Sequence, residues 1–600
     1  MSQKQRSEIQ EQFKWNTSDL FASPEVWKSH LDDLSVEMTR VSSFKGRICS
    51  SPYSLLEFLD YDSSISKEFE RVYIYASLRS DEDVSNAERQ ADVKAVEQHE
   101  IEYSQLSAFV RPELSQLSRD AVDDYLRQVP ELNQYSMMLD RIIRQKEHTL
   151  SAAEEEILSK TSILGNPSHD AYSVFSDAEM PFPRIVLKDG AEVELDQTTF
   201  SRVRSSSVAE DRKAAFDAFW DNYKKFEGTF GELMNGNVRM AVFNAKVRKY
   251  DSALSAALSP NCIPTDVYRS LIDNVNRNLP TFHRYLRLKA RLLGVERLSY
   301  ADVYAPAVAD VNLSYSYQEA QQLVLEAIKP LGDDYVAVVK KAFDERWIDV
   351  FPNKGKASGA YSNGAAYDVH PYILMNFDGR YDHVGTLIHE LGHTMQSYLS
   401  NKNQPFAKAD YSIFVAEVAS TFNEALLDNL MLTKLVDKSQ RISLLMNMLD
   451  GFKGTLFRQT QFAEFQLRMT ECVERGEPIT GSRLSDLYGE ITRRYYGHDL
   501  GVCNVDSRVN LEWAYIPHFF MGFYVYQYST SFVASQALCE MVLTGDEMAR
   551  MRYMDFLAAG DSKYPIDELR DAGVDMTSAE PFDRAIVKMN SLMDQLEALL

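Results

Sequence analysis

Apolar positions recur at helical spacing along most of this chain. From Tyr53 to Leu78, residues Leu55, Leu56, Leu59, Phe69, Val72, Tyr73 and Tyr75 follow that spacing, and Ser51-Pro52 ahead of them offers an N-cap with proline at the first helical position. The pattern predicts a long helix or a broken pair. Ser85-Asn-Ala-Glu88 and Ser151-Ala-Ala-Glu154 read as capping boxes, so helices should follow one another to about residue 165. Between Phe182 and Leu195 two β-leaning runs flank Asp189-Gly190, which predicts a small hairpin. A third capping box, Ser207-Val-Ala-Glu210, opens a helical run through Phe216, Phe219, Trp220 and Tyr223. The domain boundary is drawn just before it, giving an N-terminal helical domain, 1–200, and a second domain, 201–600. The helical pattern then holds to about residue 350, broken near Ser259-Pro260-Asn261 and Ala305-Pro306. Pro371-Tyr-Ile-Leu-Met-Asn-Phe-Asp-Gly is a short apolar run bounded by turn residues and reads as a strand. At a sheet edge it could hold an extended peptide by main-chain hydrogen bonds, whereas an internal strand would pair only within its own sheet.

The next helical run carries the chemistry. In Thr386-Leu-Ile-His-Glu-Leu-Gly-His-Thr-Met-Gln, His389 and His393 stand four apart with Glu390 after the first, the pattern H-E-x-x-H. On a helix, residues i and i+4 share one face, so both imidazoles can reach one metal ion with a carboxylate beside them. Two neutral imidazoles leave a divalent zinc Lewis-acidic, and the carboxylate can take a proton from a water on the metal. A chance pairing on a solvated helix face is disfavoured by the apolar flanks Leu387, Ile388 and Leu391. A third ligand is needed, and the run from Phe414 to Asp428 offers Glu417 and Glu424 on one face, with Val415, Val418, Phe422 and Leu426 opposite. Glu417 is the expected ligand and Glu424 the candidate to hold a histidine N–H behind it. His370 and His383 are not at ligand spacing and read as polar cleft or surface residues.

These residues resemble a known family. H-E-L-G-H followed by F-V-A-E-V-A-S-T-F-N-E is similar to the oligoendopeptidase F branch of the thimet-oligopeptidase-like (M3) zinc metallopeptidases. The opening Phe13-Lys-Trp-Asn-Thr-Ser-Asp-Leu-Phe, the run Arg141 to Ser159, Ile516-Pro-His-Phe-Phe and Tyr524-Val-Tyr-Gln-Tyr also look like this branch. The resemblance implies a mainly α, two-lobed zincin-type metallopeptidase around a deep central channel, with residues 1–200 as one channel wall. It implies one Zn2+ per chain on His389, His393 and Glu417, Glu390 as general base, and internal cleavage of short peptides. A His-containing, glycine-bearing loop followed by tyrosines supplies donors to the substrate oxyanion in that family. His518 and one of Tyr524, Tyr526 or Tyr528 match it, with Tyr524 favoured. This sequence departs from the thimet-type spacing by one residue, with Phe523 near an expected tyrosine. A continuous helix would set His518 and Tyr524 about 120° apart, six residues at 100° each, but Gly522 between them permits a turn. By composition alone the aromatic stretch from Trp513 to Tyr528 is equally a buried core. Rival readings are a non-catalytic zinc-containing peptide-binding protein, against which Glu390 argues, and an exo-acting dipeptidase-type enzyme.

Composition narrows the classes. Of 600 residues, 45% are hydrophobic and 25% charged, ordinary globular values, while 88 acidic against 64 basic residues give a net charge of −24 that would repel a phosphate backbone. No nucleic-acid role is expected. The amino terminus is polar, and no apolar run approaches the ~18 residues of a membrane span. Five cysteines without CxxC spacing suit a reducing compartment, so the expected location is the cytoplasm, with no membrane partner. Glycine-rich Lys354 to Gly364 lacks the phosphate-loop and dinucleotide spacings. Nothing in the pattern sets an oligomeric state.

Overall fold

Ser51 accepts a hydrogen bond at its Oγ from the Ser54 N–H, Pro52 takes the first helical position, and α1 (Pro52–Asp81) runs from there for 30 residues as one unbroken helix. Leu55, Phe58, Leu59, Phe69, Val72 and Tyr75 are buried along it. The following helix, Ala87–Leu106, is capped by Asn86, which accepts from the N–H groups of Glu88 and Arg89, and not by Ser85 as the box pattern predicts. The Ser85 hydroxyl instead donates to Asp83. The computed structural model describes residues 4–161, 166–307 and 313–600. Of the described residues, 71% are helical and 3% are in strands.

The chain forms two compact units interleaved in sequence. The first comprises Met1–Glu147, Asn312–Met431 and Ser535–Val574, and the second His148–Val311, Leu432–Ala534 and Asp575–Leu600. Both therefore draw on residues either side of position 200.

In the first unit a three-stranded sheet lies against the helix that carries H-E-x-x-H. Its strands are β1 (Ile348–Asp349), β2 (Tyr361–Asn363) and β3 (Tyr372–Leu374), in the order β1-β3-β2, with β3 parallel to β1 and antiparallel to β2. The strand expected from the Pro371 run is therefore internal, not an edge. All three residues of β3 are buried, so both faces of the sheet are covered there. The N-terminal segment flanks β1, since Val350 N–H donates to the Phe13 carbonyl and Asn16 N–H to that of Arg346. The glycine-rich loop between β1 and β2 is pinned by buried Lys356, whose ammonium pairs with Asp349 and donates to the carbonyls of Phe351 and Met375. β2 is left as the edge nearest the motif helix.

In the second unit the hairpin forms as expected. Arg184–Val186 pairs antiparallel with Glu192–Glu194, and Gly190 sits at φ +89° in the turn between them. The Ser151–Glu154 capping box is present in both directions. The Ser207–Glu210 box is not. The helix there, Ala209–Lys224, starts after Val208 without a side-chain cap, because the Glu210 carboxylate is engaged by the Lys188 ammonium at 2.8 Å.

Candidate metal centre

Two helices of the first unit build the centre, α2 (Tyr381–Asn403) and α3 (Ile413–Lys434). Their backbones meet at Gly392, inside H-E-L-G-H. A Cβ there would lie 2.6 Å from the Ala419 carbonyl oxygen and 2.6 Å from Ser420 Cα, so no other residue permits this approach. Asn423, fully buried, donates to the Ile388 carbonyl at 3.3 Å and ties the helices one residue before His389. The crossing brings Glu417 over the two histidines.

His389 Nε2 lies 3.6 Å and His393 Nε2 3.7 Å from Glu417 Oε2, and one ligand atom from each residue falls within 4.8 Å of the other two. Tetrahedral zinc with bonds of about 2.05 Å sets its ligand atoms about 3.3 Å apart, so the donor set fits such an ion after shifts of a few tenths of an ångström. The second nitrogens are engaged as well. His389 Nδ1 donates to Glu424 Oε1 at 2.8 Å, which turns Nε2 toward the cluster, and the Ala416 carbonyl stabilises the charged form of the His393 ring. The Ser420 hydroxyl donates to Glu417 Oε2 at 2.9 Å. His370 and His383 lie outside the cluster. His370 stacks on Trp347 and bonds Asp19, and His383 accepts from the Asp378 N–H.

Burial works against the charged form of His389, yet the hydrogen bond and charge of Glu424, with Glu390 and Glu417 behind it, hold its pKa up at about 9. His393 is pushed down by burial and by the charge on His389. A cation bound at these nitrogens must displace a proton, so its binding strengthens as pH rises. The Glu390 carboxyl is buried, and that burial together with Glu417 and Glu424 pushes its pKa up to about 7, against the pull of His389. The Ser362 backbone N–H on β2 also stabilises the Glu390 carboxylate. The Ser362 hydroxyl meets that of fully buried Thr394 at 2.8 Å, holding β2 to α2 one residue past His393. Sequence reasoning missed Ser362, Thr394 and Asn423. For Gly392 a signal was present, because a glycine inside a helix often marks a close approach.

His518 and Tyr524 belong to the second unit. The short helical turn Pro517–Phe520 ends there, Gly522 and Phe523 take positive φ of +45° and +57°, and a helix resumes at Tyr526. This non-helical turn sets the His518 and Tyr524 rings 6.2 Å apart and near parallel, with Tyr528 5.5 Å from Tyr524. Tyr526 is 2% exposed and packs on Tyr268, so it belongs to the core with Trp513, Phe519 and Phe523. His518, Tyr524 and Tyr528 keep part of their surface in solvent.

The model of Peptidase family M3 matches residues 203–588, and that of Oligopeptidase F matches residues 113–182. The chain is 38% identical over 595 residues to oligopeptidase PepF of Bacillus subtilis, covering 99% of this chain and 88% of that protein. Among solved structures, a putative peptidase from Chlamydophila abortus superposes with a TM-score of 0.94 at 35% identity, covering all of both chains. The oligoendopeptidase F of Enterococcus faecium superposes at 0.73 and 33% identity, covering 95% of this chain and 98% of that one.

Proposed function

The chain belongs to peptidase family M3 and is a metalloendopeptidase, and from that premise we propose that it is a zinc-dependent oligoendopeptidase cutting internal bonds of short peptides. The observation that carries the reading is the donor triad His389, His393 and Glu417, gathered within 4.8 Å beside a buried carboxyl whose pKa is pushed up to about 7. Zinc bound there would supply Lewis acidity and lower the pKa of a coordinated water. Glu390, poised near neutrality, takes the proton of the attacking water and returns it to the leaving amine. Glu424 orients His389, and Ser362 with Thr394 holds Glu390 against the strand edge. The Ser362 carbonyl faces away from β3 and can accept from an extended substrate, so the peptide-binding edge is β2. His518 and Tyr524 donate to the developing oxyanion.

The division at residues 200/201 falls between the two matched segments, and we assign 1–200 as the N-terminal oligopeptidase F type domain and 201–600 as the catalytic domain. No helix among the described residues is long and apolar enough to cross a membrane. An odd number of cysteines, five, without CxxC spacing favours a cytoplasmic site of action.

Metal analysis beside cleavage of a quenched ten-residue peptide tests the centre. Glu390→Gln keeps its zinc and loses nearly all turnover, whereas His389→Ala, His393→Ala and Glu417→Ala lose zinc. Full occupancy in Glu417→Ala would move the ligand role to Glu424 or elsewhere. Rapid interior cleavage of full-length casein would refute the restriction to short peptides.

A further inference from the structure

The second unit buries more positive than negative charge at one place. Arg212 pairs with Asp302 at 2.7 Å and Arg458 with Glu512 at 2.7 Å, while Lys289 and Lys453 share a single oxygen, Asp450 Oδ1, at 3.3 and 2.9 Å. All four cations are buried. Three carboxylates thus serve four cations, and the Tyr300 and Tyr488 hydroxyls, which donate to Glu512, add no charge. A buried charge in excess is costly unless it is neutralised or paired. The lysines register the excess. Burial and the charge of Lys453 push Lys289 down to about 8, and burial together with Arg458 and Arg204 lowers Lys453 against the pull of Asp450.

The cations gather round Tyr304. Lys453 lies in a π-helical turn, Phe452–Phe457, and Arg458 directly follows it. On an α-helix these residues, five apart at 100° each, would point about 140° away from one another, whereas bonding from i to i+5 closes nearly a full turn over that interval. Both therefore reach the Tyr304 ring, with Lys453 Nζ 4.6 Å and Arg458 Cζ 5.7 Å from its centroid. Arg204, just past the short helix Gln197–Val203, lays its guanidinium over the same ring at 4.0 Å. It is a fifth cation, and no acid among the described residues pairs with it. Unlike the four buried cations, Arg204 and Tyr304 keep part of their surface in solvent. A guanidinium steadied on a ring offers its N–H fork edgewise, the arrangement that takes a carboxylate or phosphate in two parallel hydrogen bonds, and the desolvated cations nearby deepen the positive potential there. We propose that Arg204 on Tyr304 is the binding site of a small oxyanion, the free carboxylate of a peptide or inorganic phosphate, which supplies the negative charge the cluster lacks. The site lies within the second unit and needs neither zinc nor Glu390.

The test is calorimetric titration of the holoenzyme with N-acetyl-L-alanyl-L-alanine, whose only charge is its carboxylate, with the C-amidated form of the same dipeptide, and with inorganic phosphate. The expected result is binding of the free acid at least ~10-fold tighter than of the amide, weakened at least ~10-fold in Arg204→Gln and in Lys453→Met and unchanged in Arg202→Gln, a loss of one exposed positive charge on the same short helix. If phosphate alone shows this dependence on Arg204, the oxyanion site stands and its ligand is free phosphate. Binding of both probes that persists unchanged in Arg204→Gln is occupancy of another site, such as the metal centre, and overturns the proposal. So does the absence of any binding up to about 10 mM. If Lys453→Met fails to fold, Arg204→Gln against Arg202→Gln decides.

Discussion

Gly392→Ala should damage the metal centre without touching a ligand. The added Cβ would sit 2.6 Å from two backbone atoms of α3, about 0.8 Å short of ordinary contact at 3.4 Å, and a backbone atom cannot swing aside as a side chain can. If α3 retreats by that amount, the spacings from Glu417 Oε2 to the two Nε2 atoms grow from 3.6 and 3.7 Å to at most about 4.4 and 4.5 Å, against about 3.3 Å for tetrahedral zinc, whose bond lengths tolerate only ~0.2 Å. Overpacking of this kind costs roughly 1–3 kcal/mol, more than the ~1 kcal/mol that alanine gains over glycine inside a helix. Gly385, on the same helix, is the control, because its Cβ would meet nothing within 4 Å. Gly385→Ala should therefore gain up to that ~1 kcal/mol and keep its zinc. The assays are a competitive chelator titration for zinc affinity and a thermal midpoint for each variant. Gly392→Ala is expected to bind zinc at least ~10-fold more weakly and to melt several degrees lower. Wild-type zinc affinity with a midpoint raised like that of Gly385→Ala would show that the close crossing of α2 and α3 does not set the ligand geometry.

Glu424→Ala frees the His389 ring and should weaken zinc binding about 10- to 100-fold by chelator titration, with His389 still a ligand. His518→Phe and Tyr524→Phe should lower kcat by ~10²-fold or more at unchanged zinc content and little change in KM, while Tyr526→Phe, a core change, should leave kcat intact. Loss of turnover in Tyr528→Phe with Tyr524→Phe silent would transfer the donor role to Tyr528. Stability as a function of pH tests Glu568: its folded pKa, about 8, lies above the ordinary carboxylate value, so its contribution is fully present below about pH 4 and is lost as pH rises through 8. The midpoint of Glu568→Gln relative to wild type should accordingly rise between pH 5 and 8.5, by the equivalent of a few kcal/mol. A pH-independent difference would mean that Glu568 is already ionised in the folded protein.

What could be read in advance divides by the range of the interaction that decides it. His389, Glu390 and His393 are set by one helical turn, and the stripe that includes Glu417 and Glu424 is set by the period of the next helix, so both were legible without a structure. Helix caps were legible only where no nearby group competed. Ser51 and Ser151 cap as expected, but Ser85 is taken by Asp83 and Glu210 by Lys188, neither of which the box pattern weighs. The support of Glu390 was not legible. β2 is three residues long, too short for a period-2 signal, and Ser362 meets Thr394 across 32 positions only once β3 has fixed the register of β2. The apolar run at Tyr372–Leu374 is a strand as its pattern predicts, but apolar side chains report buried faces and not paired edges, so edge and internal placements stayed open until β1 and β2 were found on either side of it. Local spacing thus offers Glu390 as a candidate, while the groups that hold it are found where tertiary pairing puts a backbone N–H beside it. In this fold that pairing makes the short, unpatterned strand β2, and not the conspicuous β3, the neighbour of Glu390.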